Sequence, residues 1–262
     1  MSRISDYKSS PMPLFGKVGG QTTTDASLST LVGVKFTSEN DRVYTLVQNG
    51  GTALVSGVLV QSPASIGANH TGLTLSTQAI GDFTVTATLG GTAVTANQYA
   101  GGFLVISAGT GIGQTLEIAS HPAQTSTSGT VVLTLKDPLS VATLTSDSKG
   151  SLTLPQYGSA NGATVSTSGV VVNPTTATGR VIGATVYPIP ASTSTVPTYG
   201  FIQTAGPVGV LNQGSTAIGL DLMPSASVAG AVCTYVVATR SRVGTSTVAG
   251  EDTKTQLITL QL

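Results

Sequence analysis

Charged side chains are scarce in this sequence of 262 residues. Lysine, arginine, aspartate and glutamate together make up 8% of the chain, against roughly a quarter in an ordinary soluble domain. The 11 basic and 11 acidic residues also cancel, so the formal net charge is zero. A nucleic-acid-binding protein needs a concentrated basic patch, and this chain cannot build a large one. A disordered chain combines high net charge with low hydrophobicity, whereas 40% of these residues are hydrophobic.

Tryptophan is absent, and cysteine and long apolar runs are nearly so. Cys233 is the single cysteine, which excludes a disulfide scaffold. No uninterrupted apolar run approaches the length of a membrane-spanning helix, so we expect no membrane partner. The first residues are polar and charged and lack the apolar core of a signal peptide. We therefore expect synthesis in a cytosol, where a lone thiol needs no partner.

Threonine and glycine take the place of the missing charge, with 42 and 32 residues respectively. Short runs rich in Val, Ile, Thr, Tyr and Phe end at Gly, Pro, Asn or Ser, which is typical of strands joined by turns. Every second residue of 82–88 is apolar, so one face of that strand should be buried. Val132, Leu133 and Val236 are predicted to be deeply buried. The best helical candidate, 24–30, is barely two turns long.

By composition, the chain divides into an arm and one or two β modules. Residues 1–28 carry prolines, a Gly-Gly pair and several charges without any alternation, and we predict an extended N-terminal arm there. We predict a β domain over 29–156 and a second β module over 157–262, joined near a Ser/Thr/Gly-rich stretch at 156–178. The fold class is therefore all-β, sandwich-like or barrel-like, with little or no helix.

Residues that could carry chemistry are few and poorly placed. The glycine-rich stretch 102–113 would need a following helix to bind a dinucleotide, but another short strand follows, which favours a β-turn. His70 and His121 lack Cys or carboxylate partners at metal-ligand spacing, and His121 is predicted to be a turn residue. Glu251–Asp252 is predicted to be a solvated turn, and Cys233 an inert core residue. We predict no enzymatic activity, no cofactor and no metal.

Several stretches of the chain, in the order in which they occur, are similar to stretches of a known class of protein. They are GGFLVIS at 101–107, GTGIGQTLEI at 109–118, SHPA at 120–123, VVLTLKDPL at 131–139, GRVIG at 179–183, YGFIQTAGPV at 199–208, VGTS at 243–246, and ITL at 258–260 after Asp252. Taken together, over roughly residues 42–262, they resemble capsid decoration (cement) and related virion structural proteins of tailed bacteriophages. The resemblance implies an all-β protein on the outside of a phage head, without enzymatic activity.

The leading hypothesis is therefore a non-catalytic virion protein that binds the outer surface of an assembled capsid and stabilises it. Its partner would be the major capsid protein, and it would be made in the host bacterial cytoplasm. Sparse surface charge predicts that copies of the chain cover one another, so we expect a homotrimer. Neither nucleic acid nor membrane is expected as a partner.

An alternative is a head fibre or adhesin whose loops bind glycans on the host surface. Aromatic rings would then provide stacking surfaces, and the candidates are Tyr7, Tyr44, Tyr99, Tyr157, Tyr187 and Tyr199.

The N-terminal arm supplies the candidate contacts to the capsid or to a neighbouring subunit. Its apolar anchors are Tyr7, Leu14 and Phe15, and its cations Arg3, Lys8 and Lys17 could meet an acidic face.

Overall fold

Strands make up nearly all of the regular structure in the computed structural model, which describes residues 24–262 apart from 25, 39, 66, 159–168, 194 and 237–239. Within that part the helical elements are two short 3₁₀ turns, Ala26–Leu31 and Gly67–His70. The predicted all-β class is confirmed. The strands are β1 (Lys35–Thr37), β2 (Val43–Gln48), β3 (Leu59–Gln61), β4 (Leu73–Leu75), β5 (Thr84–Thr88), β6 (Phe103–Ala108), β7 (Thr115–Ser120), β8 (Thr130–Leu135), β9 (Lys149–Thr153), β10 (Val171–Val172), β11 (Val181–Thr185), β12 (Tyr199–Leu211), β13 (Asp221–Pro224), β14 (Val232–Thr234), β15 (Gly244–Ser246) and β16 (Thr255–Gln261).

Six consecutive strands form a closed antiparallel barrel in the order β4-β5-β8-β7-β6-β9. Alternation along each strand sends apolar side chains inward, as in β5, where Val85 and Ala87 are fully buried and the threonines beside them are exposed or partly exposed. Val85 lies directly opposite Leu133 of β8, and both belong to one apolar core. Closure leaves none of these six strands with an unpaired edge.

Deep burial is predicted for Val132, Leu133 and Val236, and for two of these three residues the prediction is wrong. Leu133 is fully buried, but its neighbour Val132 is 45% exposed, because adjacent residues of a strand point to opposite faces and the outer face of the barrel is open to solvent. Val236 is 59% exposed, since it lies beyond the end of β14. Phe83, which the alternation of 82–88 also placed on the buried face, is exposed because it precedes β5.

The remaining strands form a ten-stranded antiparallel sheet. Its main path runs β10-β3-β11-β12-β16-β15-β13-β14, and β1 and β2 branch from β12. Apolar residues of β3, β11, β12, β13 and β16 share one core, and a second cluster packs around Val47, Val60, Ile182 and Ile202. This sheet therefore gathers strands from both ends of the chain.

β12 organises that sheet by changing partners midway. We expected two strands there, because Gly206-Pro207 separates 199–204 from 208–211. The structure has one strand of 13 residues, whose first half pairs with β2 and whose second half pairs with β16. Gly206 has a φ of +85°, and a Cβ at this position would come within 2.6 Å of the carbonyl oxygen of Asp41. Glycine thus permits the change of partner at a position where other residues would be strained.

The strand pairing does not follow the predicted division into a β domain over 29–156 and a second β module over 157–262. β1–β3, which the prediction assigned to the first β domain, pair with strands between 171 and 261. Only 73–153 form the barrel, as an insertion between β3 and β10. The reason is that β-pairing is non-local, so neighbouring strands in sequence need not share a sheet. The predicted arm residues up to 23 lie outside the described part of the chain.

Candidate docking surfaces

Both histidines form hydrogen bonds with Tyr99, which is buried at the end of the barrel where the chain enters and leaves. The hydroxyl of Tyr99 donates to Nδ1 of His70, and Nε2 of His70 donates to the carbonyl oxygen of Thr92 at 2.9 Å. The backbone N–H of Tyr99 donates to Nε2 of His121 at 3.0 Å, and Nδ1 of His121 donates to the carbonyl oxygen of Pro122 at 2.9 Å. Every ring nitrogen of the two histidines therefore has a hydrogen-bond partner within the protein, which gives the cluster a structural role.

Burial shifts the pKa of two groups of this cluster, Tyr99 and His121. It raises the pKa of the Tyr99 phenol far above its usual value and lowers the pKa of His121. Both groups are thus neutral near pH 7. Within the described residues, no three His, Cys, Asp or Glu side chains are grouped so that they could hold a metal ion.

The other sequence candidates are structural. Gly109, Gly111 and Gly113 all have positive φ in the hairpin between β6 and β7, which confirms the predicted turn. Asp252 follows the prediction as well, since it lies in a turn and its carboxylate accepts a hydrogen bond of 2.7 Å from the backbone of Gly214. Cys233 is only partly buried, because β14 is the terminal strand of its sheet.

The tyrosines proposed for glycan stacking are mostly covered. Tyr44, Tyr99 and Tyr199 are buried, so their ring faces are not offered to a ligand. Tyr157 packs partly against the core of the sheet. Tyr187 is 47% exposed, and Tyr7 lies outside the described residues. None of the described loops therefore combines several of these rings on its surface.

Strand direction places three loops together at the opposite end of the barrel. Because neighbouring strands are antiparallel throughout, the loops 76–83, 109–114 and 136–148 must share one end. The chain enters before β4 and leaves after β9 at the other end, so this end points away from both connections to the sheet. We call these three loops the barrel tip.

The barrel tip exposes large apolar side chains. Single exposed apolar residues are normal on a protein surface, but here five belong to adjoining loops, and two of them are about two-thirds exposed. They are Ile80 (68%), Phe83 (51%), Ile112 (66%), Val141 (45%) and Leu144 (39%). Such a group is typical of a surface that docks a partner.

Gln114 ties two of the tip loops together. Its Nε2 donates to the carbonyl oxygens of Gly111 and Val141 at 3.2 and 2.9 Å, and its Oε1 accepts from the backbone N–H groups of Ser140 and Val141 at 2.9 and 3.0 Å. Gln78 and Thr143 join the remaining loop through an antiparallel bridge. The apolar side chains are therefore displayed on a braced framework, which lowers the entropy lost on docking.

Two acidic side chains, Asp82 and Asp147, brace the loops of the tip. The carboxylate of Asp82 accepts a hydrogen bond of 2.9 Å from the backbone of Ala79, and that of Asp147 accepts from the backbone and hydroxyl of Thr110 at 3.1 and 2.9 Å. These two carboxylates already have partners within the tip, so their main role is to hold the loops that display the apolar side chains.

Sequence reasoning missed the tip, although a signal was present. Ile112 lies between two glycines, Ile80 precedes Gly81, and Val141 follows a Pro-Leu-Ser segment. Large apolar residues inside turn sequences either reach the core, as Leu139 does, or stay exposed, and a group of exposed ones indicates a contact surface.

A cleft of about 520 Å³ lies beside β12 and β16, with Arg42 as its charged residue. Nε and Nη2 of Arg42 donate to Oε1 of Gln203 at 3.1 and 3.0 Å, and the guanidinium lies 5.2 Å from the centre of the Tyr44 ring. Because this cation is already held by two neighbours, we assign it to the packing of β2 against β12.

The sequence matches no protein-family model, and comparison with curated proteins and with solved structures gives no match either. Among the helices of the described part, none is long and apolar enough to cross a membrane.

Proposed function

We propose that this protein is a non-catalytic structural component of a tailed-phage virion that binds the outer surface of the assembled capsid and stabilises it. The observation that carries the proposal is the barrel tip, a braced set of loops with exposed Ile80 and Ile112 at the end of the barrel farthest from its connections. The sequence resemblance described above points to the same class of protein.

The tip has the physical character that a cementing contact needs. Removing an Ile or Leu side chain fully from water is worth about 1.5–3 kcal/mol, so several such side chains can hold a contact without ionic bonds. The two carboxylates that brace the tip, those of Asp82 and Asp147, already accept hydrogen bonds from its loops, so the contact rests mainly on its apolar side chains. Binding of this kind depends little on ionic strength.

Oligomerisation strengthens the same contact. In a homotrimer, three tips would engage neighbouring capsomers at once, and linked binding events raise the overall affinity without any new contact. The sparse charge that predicts self-association thus also fits a protein that bridges capsid subunits.

The test is co-sedimentation of the purified protein with empty heads of the phage that encodes it. The double substitution Ile80→Ser and Ile112→Ser should abolish binding. It should leave the melting temperature within a few degrees of wild type, since neither side chain is in the core. Ile218→Ser is the matched control, because Ile218 is 67% exposed but lies in the turn between β12 and β13 of the ten-stranded sheet.

The outcomes separate the alternatives. Binding that survives the double substitution, or that is lost equally in Ile218→Ser, removes the tip from the proposal. Failure of the wild type to bind heads, together with binding to host cells, would favour the head-fibre alternative.

A further inference from the structure

A second cleft, of about 470 Å³, opens where the two ends of the ten-stranded sheet approach each other. β10 and β14 are the terminal strands of that sheet. The turn between β13 and β14 nevertheless lies against the residue that follows β10, because the backbone N–H of Gly230 donates to the carbonyl oxygen of Asn173 at 2.8 Å. The sheet is therefore curled, and the cleft lies along the line where its ends meet.

Three of the chain's five arginines line this cleft. We call it the arginine cleft, and its lining includes Arg180, Arg240 and Arg242 beside Asn173, Ser241 and Gln261. In a protein with only 11 basic residues, this is a marked concentration of one charge type.

Two of the three guanidinium groups are fixed by the fold. Nη1 of Arg240 donates to the carbonyl oxygens of Ser225 and Pro174 at 3.0 and 3.4 Å. Arg242 pairs through Nε with Asp221 at 3.1 Å and donates through Nη2 to Gln261 at 3.1 Å. Their orientation is thus set before any ligand arrives.

Arg180 differs from both. It is exposed, and no hydrogen bond or ion pair joins its guanidinium to another described residue. Counting Asp221, which pairs with Arg242, against the three guanidinium groups leaves a net positive charge. The cleft therefore attracts an anion and has one uncommitted arginine to hold it.

The arginine side chain selects the class of anion. Its planar group of N–H donors matches the two oxygens of a carboxylate, or those of a phosphate, and binds them in a bidentate manner. Nucleic acid would need further cations to meet its successive phosphates, and the described lining of the cleft contains no cation besides these three arginines. A short segment with closely spaced carboxylates fits a cleft of this size and charge.

We propose that the arginine cleft binds an acidic peptide segment of a partner protein, with Arg180 as the residue that grips a carboxylate and Arg240 and Arg242 as pre-oriented supports. The cleft belongs to the sheet and the proposed capsid contact to the barrel tip, so each proposal can fail without the other.

The experiment measures fluorescence anisotropy of a labelled hexaglutamate peptide with the full-length protein at low salt. Hexaglutamate should bind and hexaglutamine should not. Arg180→Gln should weaken binding about tenfold or more, as expected for loss of a charge-assisted hydrogen bond. Its melting temperature should be unchanged, because Arg180 supports no other described side chain.

Lys254→Gln provides the matched control. It removes the same positive charge from the turn just before β16, whereas the arginine cleft lies at the far end of that strand. The affinity of the Lys254→Gln variant for hexaglutamate should therefore equal that of the wild type. Equal binding of hexaglutamine, or equal loss in Arg180→Gln and Lys254→Gln, would overturn the proposal. Displacement of the peptide by tripolyphosphate at lower concentrations than by unlabelled hexaglutamate would assign the cleft to phosphate instead and would also overturn it.

Discussion

The backbone N–H of Tyr99 donates a hydrogen bond of 3.0 Å to Nε2 of His121 inside the barrel. Because the other ring nitrogen donates to Pro122, the imidazole must be neutral, with its proton on Nδ1. Protonation of Nε2 would replace the acceptor that Tyr99 needs by a second donor in a buried place. A buried hydrogen bond at the end of the barrel nearest the sheet therefore depends on the neutral form of His121.

This arrangement predicts that acid weakens the fold. Burial lowers the pKa of His121 below its ordinary value, against the smaller opposing effect of the bond to Pro122. As the pH falls through the ordinary range near 6.5, the unfolded chain takes up a proton that the folded chain does not. The free energy of unfolding therefore falls in that range and is fully retained above it.

Urea unfolding at several pH values between about 7.5 and 5.5 measures this dependence, in the range where histidine titrates. His121→Gln keeps an acceptor and a donor but does not titrate, so its unfolding free energy should change less over the same range. Identical slopes in the two proteins would show that His121 is not the group responsible.

Leu133 and its neighbour Val132 allow a direct test of the barrel core. Leu133→Ala should lower the free energy of unfolding by about 2–5 kcal/mol, because it leaves a cavity among fully buried residues. Val132→Ala should cost less than about 1 kcal/mol, since this side chain faces solvent. Chemical denaturation of the two variants measures both effects, and similar losses would contradict the assigned orientation of β8.

These two residues also show how far the sequence predicts the fold. Alternation in β5 is a local property, so the sequence predicts that strand and the burial of Val85. In β8 the sequence predicts burial of both adjacent apolar residues, and it does not separate Val132, which is exposed, from Leu133, which is buried, because that depends on register with strands elsewhere in the chain.

Long-range strand pairing accounts for most of the differences between the predicted and the observed strands. The short strands β4, β13 and β15 had no distinct signal, since each is three or four residues long and is defined by its partners. β12 continues through Gly206-Pro207, because pairing with β2 and β16 holds its two halves in line. The barrel tip and the arginine cleft are assembled from loops far apart in sequence, so neither was predicted as a site.

Gly250 occupies a position in the sheet that tolerates no side chain. A Cβ there would overlap Oε1 of Gln256 and Oγ1 of Thr216, which are themselves joined by a buried hydrogen bond of 2.6 Å. Gly250→Ala should therefore destabilise the protein by about 1–3 kcal/mol or more through overpacking.

The control for this substitution is Gly91→Ala, where a Cβ would meet only Asn69 at ordinary contact distance. We expect a change within about 0.5 kcal/mol for it. Differential scanning calorimetry of both variants compares them. Equal melting temperatures would mean that Thr216 and Gln256 move apart at little cost.

The last prediction concerns the N-terminal residues, which lie outside the described part of the chain. Fully extended, 25 residues span up to roughly 80 Å, so an arm containing Tyr7, Leu14 and Phe15 could reach a neighbouring subunit or run along a capsid. Deleting residues 2–20 should leave the melting temperature of the β-structure unchanged, because its cores are formed by later residues.

The same deletion should weaken capsid binding or reduce the oligomer, whose mass in light scattering we expect to exceed the 26.1 kDa of one chain. Replacing only Arg3, Lys8 and Lys17 by glutamine separates the cations from the apolar anchors, since an ionic contact depends on salt and an apolar contact does not. If the truncated protein binds empty heads with unchanged affinity and keeps its oligomeric state, the arm has no part in assembly. The barrel tip alone would then carry the proposed attachment.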